Sequence, residues 1–186
     1  MDDAQVDELL GQLDSTSWVE VEDAWEQLQE AGVDRVAIAR RGYPKVRKWQ
    51  GRATLIRGLT PLARDRPDAV ALAVDALEDR SYMVRWRACE VLAYSLDRAV
   101  LPYLAALLGH GDDRTVEDAR GALRAIESQN HHLFKDPDDT GAIRWMVRAD
   151  DANDRRHGRT VDREPQEWLP FRLRRRLRGH TPTNSG

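Results

Sequence analysis

Along most of the chain, apolar residues recur three and four positions apart, in runs of about three turns separated by short polar breaks. Val6, Leu9, Leu10 and Leu13 form the first run, and Val21, Ala24, Trp25, Leu28 and Ala31 the second. Between them, Asp14-Ser15-Thr16-Ser17 offers oxygens that cap a helix, and Gly32 ends the second run as a helix stop should. This predicts a helical hairpin over residues 3–31. A second hairpin is predicted over 33–59. Its short first helix carries Val33, Val36, Ala37 and Ala39, Gly42-Tyr43-Pro44 breaks it, and Val46, Trp49, Ala53, Ile56 and Leu59 line the next helix.

The third hairpin is the best defined. Pro67 suits a first helical turn, and Val70, Ala73, Val74 and Leu77 face inward. Asp79 opens the turn, and Val84, Ala88, Val91, Leu92 and Ser95 follow at helical spacing. A fourth hairpin spans 97–127, with Leu101, Leu104, Leu107 and Leu108 on one helix and Thr115, Ala119, Ala122, Leu123 and Ile126 on the next. The pattern then changes. Residues 130–134 and 142–147 read as two short strands around the turn-forming Asp136-Pro137-Asp138-Asp139-Thr140-Gly141. The expected architecture is an all-α superhelix of about four helical hairpins over 1–128. A small β-hairpin-like cap over 129–148 follows, and then a polar linker and basic segment over 149–186.

The turn and second helix of the third hairpin resemble the HEAT-repeat family. The residues that carry the likeness are Asp79, Val84-Arg85, Ala88 and Val91-Leu92. The resemblance implies an α-solenoid that serves as a protein-binding scaffold, its second helices lining a concave face. It further implies a hydrogen-bonded ladder between repeats, formed by a turn aspartate and a second-helix arginine six positions on, a spacing that Asp79 and Arg85 match. In the fourth hairpin His110 and Val116 stand at those places, and in the first Asp14 and Glu20.

Helical geometry puts Trp86 about 200° round its helix from the buried direction, with Tyr82 beside it. Exposed Trp and Tyr are enriched among binding anchors. The same construction places Glu22 and Glu26, Arg47, and Glu117, Arg120 and Arg124 on the outward face of the other second helices. The expected groove runs acidic, basic, aromatic, then mixed, which suits another protein better than a uniform polyanion.

Charge sharpens this picture. The net charge is −3. Residues 1–34 nevertheless carry eleven acids and no Lys or Arg, and residues 35–66 carry ten bases and one acid. Adjacent hairpins of opposite sign can neutralise each other. The acidic hairpin could also mask a basic enzyme, as an inhibitor or immunity-type protein would. The basic stripe of Arg40, Arg41, Lys45, Lys48 and Arg52 supports an alternative, in which a HEAT-like DNA glycosylase or other nucleic-acid binder uses these residues on phosphates. Phe171, Leu173 and Leu177, interleaved with Arg172, Arg174, Arg175, Arg176 and Arg178, could bind an acidic surface, RNA or lipid, or dock on the acidic hairpin.

Enzymatic chemistry has little support. His131-His132 with Asp136 and Asp138 invites a metal, but neighbouring residues of a strand point to opposite faces. Val147 stands where a calcium loop needs its bidentate Glu. No phosphate-binding glycine loop or nucleophile elbow occurs. Cys89, the single cysteine, excludes an intrachain disulfide and reads as a buried thiol. No cofactor and no catalytic or metal residue is expected. The acidic start without a secretion signal and the lack of a long apolar run make a cytoplasmic protein without a membrane span the expectation.

Overall fold

The computed structural model describes residues 1–151. The described residues form eight α-helices, with four short 3-10 turns between and after them, and contain no strand. The helices are α1 (Asp3–Gln12), α2 (Trp18–Glu30), α3 (Arg35–Gly42), α4 (Trp49–Arg57), α5 (Pro67–Ala76), α6 (Tyr82–Ser95), α7 (Leu101–Ala106) and α8 (Asp113–Glu127). The second helices α2, α4, α6 and α8 pack side by side in chain order, and α1, α3, α5 and α7 each lie against their own partner.

Local chemistry sets the helix ends. Asp2 and Gln5 form a reciprocal capping box at α1. Ser17, Asp34 and Asp112 cap α2, α3 and α8, and Pro67 occupies the first turn of α5. The helices α6 and α8 are followed by residues with positive φ, Leu96 and Gln129. The Gln129 amide donates to the Leu96 carbonyl at 3.0 Å, tying these two ends together.

One continuous core runs from Val6 to Leu133, with Trp145 and Val147 packed against it. Leu13, Leu28, Leu55, Leu92 and Leu104 are fully buried, each worth about 2 kcal/mol of transfer free energy. Helix α4 is enclosed along residues 50–56. Two glycines permit this. A Cβ on Gly51 would lie 2.1 Å from the Leu13 carbonyl oxygen, and one on Gly58 would lie 2.1 Å from the Trp25 ring.

The ladder joins successive hairpins, as the resemblance implies, and its carboxylate rungs run from one second helix to the turn of the next hairpin. Arg52 of α4 crosses to Asp79 of the following hairpin, with Nε–Oδ2 at 2.7 Å and Nη2–Oδ1 at 2.9 Å. It also donates to the carbonyls of Val46 and Arg47 in its own turn. Thirty-three residues later the pattern repeats. Arg85 reaches Asp112 at 2.9 Å and Thr115 at 3.0 Å, and donates to the Asp79 carbonyl at 2.8 Å. Each arginine thus holds its own turn by the backbone and the next hairpin by a carboxylate. One more step of thirty-three reaches Asp118, so the ladder places of the last hairpin are Asp112 and Asp118, not the expected His110 and Val116, and its arginine place holds an acid.

The expected β-hairpin cap over 129–148 is replaced by a strap without strands. Asn130 caps a 3-10 turn, His131–Phe134. The Asp136 carboxylate accepts from Thr140 Oγ1 at 2.9 Å and from the Gly141 N–H at 2.7 Å, which folds the turn. Residues 142–147 then run back without a strand partner. Imidazoles replace the ladder: the Trp145 N–H donates to His132 Nδ1 at 3.2 Å, and the Trp145 carbonyl lies 2.9 Å from His131 Nε2. Backbone groups satisfied by side chains have no need of a second strand.

Candidate interaction surface

The strap crosses the second-helix layer. Phe134 packs over α8, where a Cβ on Gly121 would meet its ring at 3.4 Å. Lys135 then reaches α6. Its ammonium lies 4.5 Å from the Trp86 ring centre, 5.0 Å from that of Phe134 and 5.3 Å from that of Trp145, and pairs with Glu90 at 2.7 Å. Finally Arg148 pairs with Asp65, and Asp151 enters the turn that follows α4.

That last contact is a buried polar knot. Asp151 Oδ1 accepts from the Tyr94 hydroxyl at 2.8 Å and lies 3.4 Å from Arg64 Nη1. Its Oδ2 accepts the N–H groups of Val147 and Arg148, both at 2.7 Å. Burial would raise the Asp151 pKa, but these bonds outweigh it and hold it below the usual carboxylate range. Arg64 also donates from Nη2 to His131 Nδ1 at 3.0 Å, which makes Nε2 the protonated nitrogen facing the Trp145 carbonyl. Burial pushes the His131 pKa down to about 4, with His132 beside it adding to the shift.

The expected anchors of the groove are therefore partly covered. Trp86 is half-buried between Lys135 and the Arg87 guanidinium, 4.1 Å from its ring centre. Tyr82 is half-buried beneath Arg114 at 4.2 Å. Asp118 lies near it, and burial raises the Asp118 pKa to about 6. The Oδ2 atom of Asp118 is buried without a hydrogen-bond partner among the described residues.

Other expected site residues are spent on internal contacts. Glu22 pairs with Arg57 and accepts from Thr54 at 3.3 Å. Arg47 pairs with Asp14 at 3.1 Å. Arg124 is exposed and donates to the Pro137 carbonyl at 3.1 Å. Glu26 and Arg120 are exposed. Trp49 stacks edge-on against Trp18, ring centres 5.3 Å apart.

The basic stripe does not form a phosphate-ready row. Arg41 pairs with Asp3 and Asp7, Lys45 lies 3.5 Å from Asp7, and Arg52 is buried in the ladder. Arg40 and Lys48 remain exposed. The acidic first hairpin thus neutralises much of the basic second one.

The open surface lies on α2. Trp18 is 44% exposed and Val19 is 69% exposed, the most exposed large apolar residue among the described residues. Val19, Asp23, Glu26 and Glu30 share one face of the helix, opposite the buried Val21, Ala24 and Leu28. Among the described residues, Asp23, Glu26 and Glu30 make no ion pair. A cleft of about 550 Å³ between α1 and α2, lined by Asp14, Ser15, Glu20 and Asp23, borders this face. Outward-angle reasoning had selected Glu22 and Glu26 but passed over Trp18 and Val19. Their signal is the placement of two large apolar residues directly after the Ser17 cap, before the hairpin core begins.

No group of three or more metal-ligating side chains occurs among the described residues, and no helix there is long and apolar enough to cross a membrane. Cys89 is buried, and burial pushes its thiol pKa up. Residues 44–126 match the family model for HEAT repeats, the segment that holds both arginine–aspartate rungs. A comparison with curated proteins gives no match.

Proposed function

We propose that this chain, whose residues 44–126 match HEAT repeats, is a non-enzymatic protein-interaction module whose working surface is the acidic, tryptophan-bearing face of α2. HEAT repeats generally serve to bind other proteins. The observation that carries the choice of face is a contrast along the second-helix layer. The α6 end is covered by the chain's own strap, whereas α2 presents Trp18 and Val19 among the carboxylates of Asp23, Glu26 and Glu30.

An aromatic anchor within an acidic field fits a basic protein surface with an apolar centre. The narrower form of this proposal is an inhibitor or immunity-type protein that masks a basic enzyme. The half-exposed Tyr82 and the exposed Arg120 and Arg124 would contribute at the far end of the layer.

The test is affinity capture from native lysate, comparing the wild-type chain with Trp18→Ala and with Asp23→Lys/Glu26→Lys. Both changes lie on an exposed face and leave the core intact. Loss of an anchor of this kind lowers partner recovery by about tenfold or more. Equal recovery by all three chains overturns the α2 surface.

A further inference from the structure

The strap has a direction. It leaves α8 at Phe134, passes α6 at Lys135 and Trp145, and reaches Asp151 beside Arg64 and Asp65, in the turn after α4. It therefore advances hairpin by hairpin from the fourth toward the first. The helix next to α4 in the layer is α2, joined to it by Arg57–Glu22 and by Trp25 against Gly58. Residues 152–186 lie outside the described residues. The sequence there includes Phe171-Arg172-Leu173-Arg174-Arg175-Arg176-Leu177-Arg178, five cations interleaved with three large apolar residues.

We infer that residues 171–178 dock on the exposed face of α2 in the same molecule, so that the chain's own C-terminal segment covers the surface proposed for the partner. Three observations converge on this occupant. The first is complementarity, because an arginine-rich segment with apolar residues meets Trp18 and Val19 flanked by Asp23, Glu26 and Glu30, which make no ion pair among the described residues. The second is continuity. The segment follows in sequence a strap whose described residues cover two successive second helices and reach the turn after α4, the neighbour of α2. The third is reach. The chain from Asp151 to Arg172 can span about 70 Å extended, whereas a compact domain of this size has a radius of gyration near 15 Å. Tethering at such a distance gives an effective concentration in the millimolar range, so a weak contact is occupied. The inference rests on the α2 face being the working surface. It adds that a partner must displace the segment, so free and occupied states compete for Trp18.

The full chain carrying a nitroxide at Thr181→Cys tests the idea, because Cys89 is buried and does not react. Paramagnetic broadening is read on the backbone amides of the ¹⁵N-labelled protein. The expected result is at least threefold loss of signal at Val19, Asp23, Glu26 and Gln27, relieved by 0.5 M salt (where screening falls to about 4 Å) and by Asp23→Lys/Glu26→Lys. No broadening, or broadening centred on another helix, overturns the docking. Broadening that persists when spin-labelled ¹⁴N chains are mixed with unlabelled ¹⁵N chains places the segment on a second copy and overturns the intramolecular form. Replacing Arg172, Arg174, Arg175 and Arg176 by Gln separates this inference from the proposed function. Partner capture then rises several-fold if the segment competes. Capture that is unchanged but still sensitive to Trp18→Ala sinks the docking alone, whereas capture insensitive to Trp18→Ala sinks the α2 surface itself.

Discussion

Arg52 holds Asp79 across two hairpins through a two-pronged contact, 2.7 Å and 2.9 Å, with both side chains buried. Asp79 is further bound by the Tyr43 hydroxyl at 2.8 Å and by the Ser81 N–H at 2.8 Å. Burial by itself would raise the Asp79 pKa, but these donors outweigh it and hold it below the usual carboxylate range.

Removing one side of this pair leaves a buried carboxylate without its cation, which costs about 3 kcal/mol. Arg52→Met is therefore expected to lower the urea midpoint sharply at pH 7. Combining it with Asp79→Asn should recover part of the loss, because no uncompensated charge remains. Arg41, whose ion pairs lie at the surface, is expected to move the midpoint little when changed to Ala. Equal effects of Arg52→Met and Arg41→Ala would refute a special role for the ladder.

Asp118 is expected to weaken the fold at neutral pH. Its folded-state pKa, about 6, lies above the ordinary value of 3.8. The folded form therefore holds the proton more tightly, and the stability from this group is full below the ordinary pKa and lost as pH rises through 6. Asp118→Asn removes the charge and keeps the side-chain shape. After allowance for partial exposure, it should stabilise the protein by on the order of 1 kcal/mol at pH 7.5. The advantage should vanish at pH 4, as read from denaturation midpoints at both values.

His131 acts in the opposite sense. Its folded-state pKa is lowered from 6.5 to about 4, so the folded form resists protonation. Stability is full above 6.5 and falls as pH drops through the window from 6.5 to 4. The strap should loosen in that window, because a proton on Nδ1 faces the Arg64 guanidinium. Hydrogen exchange at the amides of Trp145, Val147 and Arg148 should accelerate as pH falls from 6.5 to 4, after correction for intrinsic rates. In His131→Gln the acceleration should flatten; an unchanged profile contradicts the assignment.

Gly51→Ala should be among the costliest small changes. The new methyl would meet a backbone carbonyl, Leu13 O, which cannot rotate away. A loss of about 2 kcal/mol is expected from overpacking. Gly11→Ala, with open space around it, gives the comparison. Similar thermal midpoints for the two variants would show that α1 and α4 part easily.

Much of the helical architecture was legible because its signals are local. Ser17, Asp34, Pro67 and Asp112 act on groups within a few residues, and the stripes of α2 and α8 follow the helical period. The ladder between repeats was legible at Asp79 and Arg85, but its next rung was placed at His110 and not at Asp112. Arg85 does bond to Asp79, but through the backbone carbonyl, and its carboxylate partner is Asp112. Spacing within one hairpin cannot distinguish a side chain that turns back from one that reaches forward. The β-hairpin expectation failed because alternating apolar residues around a turn look alike whether a strand or two imidazoles satisfy the backbone.

The order of helices, their caps and buried stripes, and the opposite charges of the first two hairpins were set by the sequence itself, because each depends on neighbours along the chain. Only the tertiary structure decided which surface stays open. Trp86 and Trp18 are both amphipathic aromatics near the start of a second helix. One lies under Lys135 and the other does not, because the strap joins residues as distant as Tyr94 and Asp151, or Asp65 and Arg148. Contacts that close loops of 57 and 83 residues depend on the packed fold, and no periodicity in the chain encodes them.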